Sequence, residues 1–529
     1  MLGLGITEEN RRWWVLGSMT VALLPLSIGG FGYVVTLPAI ASDLHGTAAD
    51  LAWTLNIEVL FFGASTMVMG RLADVIGRRR MVGAGMLAVI LSSVACALAP
   101  SVELLIVFRG LQGISFGMVY GASLPIVSTA FPDEQRATGL GMWAAGYLIG
   151  AVLGTPLAGL LADAVSWRAL FWLSVPLMLI ALGLTSMAVP ESRDPTVPRR
   201  IDWFGVILPA LGILSLLYSL QEANDVGWDA PSIVAGFIAA AVLLTLFIVV
   251  ERRAQQPLID FGLFRNRTYR VSCGVGMVSQ ISQGAILFFV PLFLESALGL
   301  SALTAGISLL ALTVPMFVLA LIAGRMLARY GGRSLMVAGA ALLALSSGVL
   351  LAVGSKRGFG LVLLALVVNG VGASLAFNAS NITGVESIEA EHSGLAFGVM
   401  SQIRLIGYML GVALPLAVFN ALAFHRLDQL AGLTGSGLTS DQLSEIRAVL
   451  AGSDSARSQL VSASPGVAHD LDNVVRTAFA SGLRGAMALV TAAGVVGVVI
   501  ALRTRRAETA PTSESGGWPG KAHAHGPAR

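Results

Sequence analysis

Stretches of roughly 20 apolar residues recur along nearly the whole of this 529-residue chain, and no other feature limits its fold so sharply. Each is long enough to cross the ~30 Å hydrocarbon core of a bilayer as a helix. Lipid offers no partner to backbone N–H and C=O groups, so a spanning segment must be a helix or part of a closed barrel. The period-two alternation of barrel strands is not seen. The chain is therefore predicted to be an all-α polytopic membrane protein. Spans are expected over 14–38, 51–69, 81–99, 103–125, 138–161, 168–189, 203–221, 232–250, 270–294, 302–323, 335–353, 358–380, 394–423 and 481–502, about 14 helices.

Charge is scarce, 12% of residues against 55% hydrophobic, so its placement is informative. The densest cluster is the turn Gly70-Arg71-Leu72-Ala73-Asp74-Val75-Ile76-Gly77-Arg78-Arg79-Arg80, between two apolar runs. With the N-terminus in the cytoplasm, the inner segments hold Arg11, Arg12, Arg71, Arg78 to Arg80, Arg136, Arg193, Arg199 and Arg200. They continue with Arg252, Arg253, Arg265, Arg267, Arg325, Arg329, Arg333, Arg503, Arg505 and Arg506. The short outer segments hold Asp43, Asp50, Asp163, Glu222, Asp225, Asp229 and Glu295, with Lys356 and Arg357 as exceptions. Positive charge collects on the cytoplasmic side of membrane proteins, so this asymmetry places both termini in the cytoplasm. Met1 to Arg12 is polar and runs directly into a long span, which reads as a retained first helix and not as a secretory signal. Cys96 and Cys273 both fall inside apolar runs, which argues against a disulfide framework or a thiolate metal site.

The opening turn has an echo. Gly324-Arg325-Met326-Leu327-Ala328-Arg329-Tyr330-Gly331-Gly332-Arg333 also follows the second long span of its half, with Ala328 where Asp74 stands. Repeated halves holding substrate between them are a common transporter design. The expected division is a cytoplasmic N-terminus at 1–13, a six-helix half at 14–190 and a linker with two extra helices at 191–268. A second six-helix half follows at 269–503, with an outer loop at 424–480 and a helical stretch near 439–451. A disordered cytoplasmic tail is expected at 504–529.

Several motifs carry a family resemblance. The turn reads G-x-L-A-D-x-x-G-R-R and resembles the loop between the second and third helices of major facilitator superfamily transporters. Phe108-Arg109-Gly110-Leu111-Gln112-Gly113 is similar to that family's second motif. Gly146, Gly150 and Gly154, followed by Thr155-Pro156-Leu157-Ala158-Gly159, resemble its antiporter motif, with Thr155 where proline is usual. Trp167-Arg168 and Ser174-Val175-Pro176 match the opening of the sixth span, and Arg404, Gly407 and Gly411 match the 14-span drug:proton antiporter branch. The resemblance implies two six-helix halves plus an inserted two-helix hairpin. It also implies a role for Gly70, Arg71, Asp74, Gly77 and Arg78 in conformational gating, with the aspartate latching the halves together on the cytoplasmic side.

One departure bears on mechanism. The branch usually has an acid in the first span about eight residues before a Leu-Pro pair; here Leu37-Pro38 is present but Gly29 occupies that place. The second span instead carries Glu58. An ionisable side chain at a helix centre costs roughly 2.5–3.5 kcal/mol on insertion scales, so it faces a cavity or a partner. Glu58 is accordingly the candidate to load and release a proton; the structural alternative is a solvated acid near the outer end. Arg109 is intramembrane and needs an anionic or carbonyl partner, for which Glu58 is a candidate; the resemblance adds proton coupling, and the alternative is helix packing. Asn56, Tyr120, Gln280, Gln283, Asn378, Asn381, Gln402 and Arg404 are the candidate polar lining of a mainly apolar central cavity. Taken singly, each is as well suited to an interhelical hydrogen bond.

The expected activity is proton-coupled export of lipophilic or cationic small molecules such as drugs, by alternating access, from a bacterial inner membrane. The expected partners are that substrate, protons and membrane lipids. No nucleic acid, nucleotide or cofactor is expected, since no G-x-x-x-x-G-K-[ST] loop is present. The alternative is the same fold moving an endogenous lipid or envelope precursor, possible without proton coupling. An intramembrane enzyme would need clustered His, Asp or Ser groups within spans, and the sequence has no such cluster.

Overall fold

The computed structural model describes residues 7, 10–193, 203–253, 261–353, 358–389, 393–433 and 468–503. Most of these are helical, and no strand occurs among the described residues. The N-terminal half holds α1 (Arg11–Gly32), α2 (Leu37–Leu44), α3 (Ala48–Ile76), α4 (Arg78–Ala97), α5 (Val102–Ala130), α6 (Asp133–Ala164) and α7 (Ala169–Ala188). The inserted pair is α8 (Trp203–Val226) and α9 (Pro231–Glu251). The C-terminal half holds α10 (Arg267–Leu292), α11 (Ala302–Ser308), α12 (Leu310–Tyr330), α13 (Gly332–Leu351), α14 (Phe359–Glu386), α15 (Ser393–Leu433) and α16 (Ala468–Leu502). Thirteen spans among the described residues are long and apolar enough to cross a membrane, and α3, bent between Thr66 and Val68, makes a fourteenth.

Local chemistry sets the boundaries. Thr47 and Asp50 form a reciprocal capping box at the start of α3, and Ser101 and Ser301 cap α5 and α11 through their hydroxyls. Gly77 at φ 129° and Gly331 at φ 75° separate α3 from α4 and α12 from α13. The two turns that echo each other in sequence thus share a backbone position where a side chain would be strained. The first span does not stop at Pro38 as expected. It passes through a 3₁₀ turn at Tyr33–Thr36 and continues as α2 to Leu44, because Pro38 occupies a helix N-terminus where its missing N–H costs nothing. Likewise α15 runs on as helix to Leu433 and α16 begins at Ala468, so both project beyond the 394–423 and 481–502 spans. The residues just past 423 are good helix formers with no proline among them. The stretch near 439–451, the tail at 504–529 and Lys356 lie outside the described residues.

The two halves meet at one end of the bundle. A single apolar cluster joins Tyr33, Leu51, Ala158 and Phe171 of the first half to Ile286, Phe289, Ala305 and Phe419 of the second. All of these lie toward the end opposite Gly70–Arg80. At the arginine-bearing end each half has its own cluster: Met19, Met86, Phe116 and Met178 in the first, Val271, Met336 and Ala376 in the second. The bundle is closed at the far end and divided at the arginine end. Helix α8 packs on both α3 and α15, where Leu217 and Leu220 meet Ile57, Leu60, Met409 and Ala413, and so bridges the halves along one side.

Candidate functional site

Glu58 and Arg109 form an ion pair between α3 and α5, with side chains 7% and 2% exposed. The pair exists because α5 presents glycine to α3. A Cβ on Gly113 would collide with the Glu58 carbonyl oxygen, and one on Gly117 with Ser65 Oγ. Farther along, a Cβ on Gly121 would stand 2.6 Å from the Thr66 carbonyl oxygen. Glycines four apart form one bare face, and two backbones can approach along it.

The rest of the motif around Arg109 holds the guanidinium. Nε donates to the Thr54 carbonyl at 3.1 Å and Nη1 to Gln112 Oε1 at 2.8 Å. Gln112 Nε2 in turn donates to Ser93 Oγ of α4 at 2.9 Å. The Tyr33 ring, from the 3₁₀ turn in the first span, covers the guanidinium at 4.0 Å. Breaking such a pair by deleting one partner strands a charge away from water. Arg109 keeps three neutral contacts that would survive neutralisation of Glu58. Tyr147 of α6 and Tyr408 of α15 lie within electrostatic reach of Glu58, while the groups that hold Arg109 all belong to the N-terminal half.

The candidate lining residues fall into two groups. Gln402 reaches across the seam and donates to the Gly63 carbonyl at 3.0 Å. Asn56 is fully buried with neither amide atom partnered, and it lies seven residues before Gly63 on the same face of α3. Tyr120 is half-buried between Phe62 and Trp143. By contrast Arg404, Asn381 and Asn378 are held inside the C-terminal half. Arg404 donates to Met400 O at 3.3 Å and Asn381 Oδ1 at 3.2 Å, with the Phe377 ring at 4.5 Å. Asn378 bonds back to Ser374 of its own helix at 2.8 Å. Gln283 donates to Met316 Sδ at 3.6 Å, and Gln280 is half-buried on the same helix, α10.

At the arginine end, Asp74 pairs with Arg78 at 2.7 Å within its own half. Glu191 packs on Gly77, accepts from Arg79 N at 3.2 Å and faces Arg80 at 3.6 Å, tying the turn to the segment after α7. Arg71 is half-buried near the end of α3. The glycines of α6 do two jobs. Gly146, Gly150 and Gly154 take Thr20, Ser27 and the Ile28 backbone of α1 against them. One turn on, Thr155, Pro156 and Gly159 meet Gly306 and Ala302 of α11, across the seam. Past them Asp163 accepts from the backbone N–H groups of Ala302 at 3.2 Å and Leu303 at 2.8 Å.

This geometry has counterparts. The Major Facilitator Superfamily model matches residues 19–412. The chain belongs to the major facilitator superfamily. It is 30% identical over 501 residues to the multidrug efflux pump LfrA of Mycolicibacterium smegmatis, covering 92% of this chain and 96% of LfrA. It is 31% identical to the multidrug resistance protein Stp of Mycobacterium tuberculosis, over 74% of this chain and 73% of that one. The tetracenomycin C resistance and export protein of Streptomyces glaucescens is 28% identical over 94% of this chain and 93% of its own. Among solved structures, a bacterial homologue of the human lysosomal transporter Spinster aligns at TM-score 0.62 and 16% identity, covering 93% of this chain and 96% of that one. A peptide transporter, POT, aligns at 0.58 and 14%, covering 89% and 100%. The fold is thus a major facilitator transporter with two six-helix halves and an inserted hairpin.

Sequence reasoning did not assign roles to Tyr33, Thr54, Ser93, Tyr408 or Asp163. For Asp163 the only signal was an acid at a helix end, since α11, whose first N–H groups it caps, comes after four further spans in the chain. For Ser93 and Thr54 there was none, since such residues are common in apolar spans.

Proposed function

We propose that this superfamily member exports lipophilic or cationic small molecules across a bacterial cell membrane in exchange for protons. The observation that carries the coupling step is the buried Glu58–Arg109 pair between α3 and α5. A proton arriving on Glu58 cancels the pair's attraction and leaves Arg109 as a net positive charge among Thr54 O, Gln112 and Tyr33. The unpaired cation and the now neutral acid favour a different arrangement of α3 and α5, and so bias a two-state equilibrium. Loss of the proton restores the pair. The named relatives, multidrug and antibiotic exporters, support the substrate class. The divided arginine end supports entry from the side that carries positive charge, which the inside-positive rule makes the cytoplasm. In this reading both termini are cytoplasmic, and Asn56, Tyr120 and Gln402 are the polar anchors facing the gap between the halves.

The test uses everted membrane vesicles and a lipophilic cationic dye, with and without an imposed pH gradient. Gradient-driven uptake by the wild type, lost in Glu58→Gln, is the expected result. Uptake that keeps its gradient dependence in Glu58→Gln would remove Glu58 from the coupling step. No uptake of dye under either condition would remove the substrate class.

A further inference from the structure

The two longest helices, α15 and α16, enclose a cleft of about 330 Å³ at the far end of the bundle. It is lined by Leu422, His425, Arg426 and Gln429 from α15 and by Ser481 and Arg484 from α16. Its polar lining is one-sided in charge. Arg426 Nη1 donates to Gln429 Oε1 at 3.0 Å, and Gln429 Nε2 lies 2.9 Å from His425 Nε2, so one amide orients both basic side chains. Among the described residues neither Arg426 nor Arg484 is within ion-pair distance of a carboxylate. Among the described residues, two guanidiniums thus face one cleft with no carboxylate beside them.

Depth identifies the occupant. Leu502 marks the arginine end of α16, where its carbonyl accepts from Arg333 of the second turn. Counted back along the helix at 1.5 Å per residue, Arg484 lies about 27 Å away, close to one hydrocarbon thickness. Arg484 therefore stands where phospholipid phosphates lie in the opposite leaflet. Toward the membrane from the cleft, Leu422 is 42% exposed, and α16 presents Leu489, Val495 and Val499 at 37%, 53% and 47%. A headgroup in the cleft would have an apolar wall beneath it for its chains. Both helices continue past this level, to Leu433 and from Ala468.

We propose that the α15–α16 cleft is a binding site for an anionic phospholipid, with the phosphate held by Arg426 and Arg484 and the acyl chains against Leu422 and the exposed face of α16. Arginine suits this ligand because its planar fork meets phosphate oxygens two at a time, with Ser481 as a further donor. The site is separate from the Glu58–Arg109 centre and independent of what the protein exports.

The experiment measures thermal unfolding of the purified full-length protein in detergent, with added phosphatidylglycerol, phosphatidylcholine or inorganic phosphate. Phosphatidylglycerol is expected to raise Tm above the other two, and Arg426→Gln/Arg484→Gln to abolish that difference. Arg484→Lys, which keeps the charge without the fork, should retain part of it. Ser481→Phe, which fills the cleft at constant charge, should lose it and guards against a folding defect of the double variant. An undiminished phosphatidylglycerol shift in both the double variant and Ser481→Phe would overturn the proposal. So would equal stabilisation by phosphatidylcholine, or a shift of the same size from inorganic phosphate alone.

Discussion

Glu58 and Arg109 depend on each other more than either contributes alone. Removing one member of a buried pair costs about 3–5 kcal/mol, while replacing both with apolar groups of similar volume is often neutral. Arg109→Met is therefore expected to lower the unfolding temperature sharply, and Glu58→Leu/Arg109→Met to recover most of the loss without recovering gradient-driven transport. Thermal unfolding and vesicle uptake on the same preparations check this, and equal instability of the single and double variants would count against the pairing. The need for such a pair was legible in the sequence, because a lone charge in an apolar span demands a partner and only a few charges were available. The cover over it was not. Tyr33 reaches Arg109 because the first span changes from α to 3₁₀ geometry for four residues, and hydropathy has no signature for that change.

A different kind of determinant appears among the helices. The approach of α3 to α5 is set by Gly113, Gly117 and Gly121, and it fixes where Glu58 stands. Gly113→Ala would push its Cβ into the Glu58 carbonyl, with backbone on both sides and nothing flexible to give way. It is expected to reduce both yield of folded protein and gradient-driven uptake. Gly141→Ala on α6 meets nothing within 4 Å and should be indistinguishable from wild type in both assays. Loss of transport in the Gly141 control, or full transport in Gly113→Ala, would dissociate the glycine face from function. The sequence showed glycine spacing but not its target. The four-residue rhythm at Gly146, Gly150 and Gly154 marked a bare helix face, yet only the packing assigns that face to α1 and the next turn to α11 across the seam. Span ends were legible only approximately where a glycine or a cap stops the helix: the 51–69 span is α3 from Ala48 to Ile76, capped by Thr47 and running on through Gly70 to stop at Gly77. They were not where polar helix formers carry it onward, as past His425.

Across the whole molecule, the proposed export by alternating access requires the far end to open, so under that proposal the contacts that close it set the balance between states. Most are apolar, but Asp163 is directional: its two oxygens cap the first N–H groups of α11 from the opposite half. A hydrogen bond to a charged group contributes about 1.5–3 kcal/mol, or roughly one to two decades in an equilibrium constant. Asp163→Ala removes both bonds and should shift population toward a state opened at the far end, without touching the Glu58 centre. Asp163→Asn keeps one acceptor and should fall between. Spin labels at Leu160 of α6 and Ile307 of α11, which are 48% and 51% exposed, report the separation across this seam. The buried Cys96 and Cys273 would first be replaced by serine. The expected outcome is a longer-distance population that grows from wild type through Asp163→Asn to Asp163→Ala. Identical distance distributions in all three would mean that the apolar cluster alone holds the far end shut.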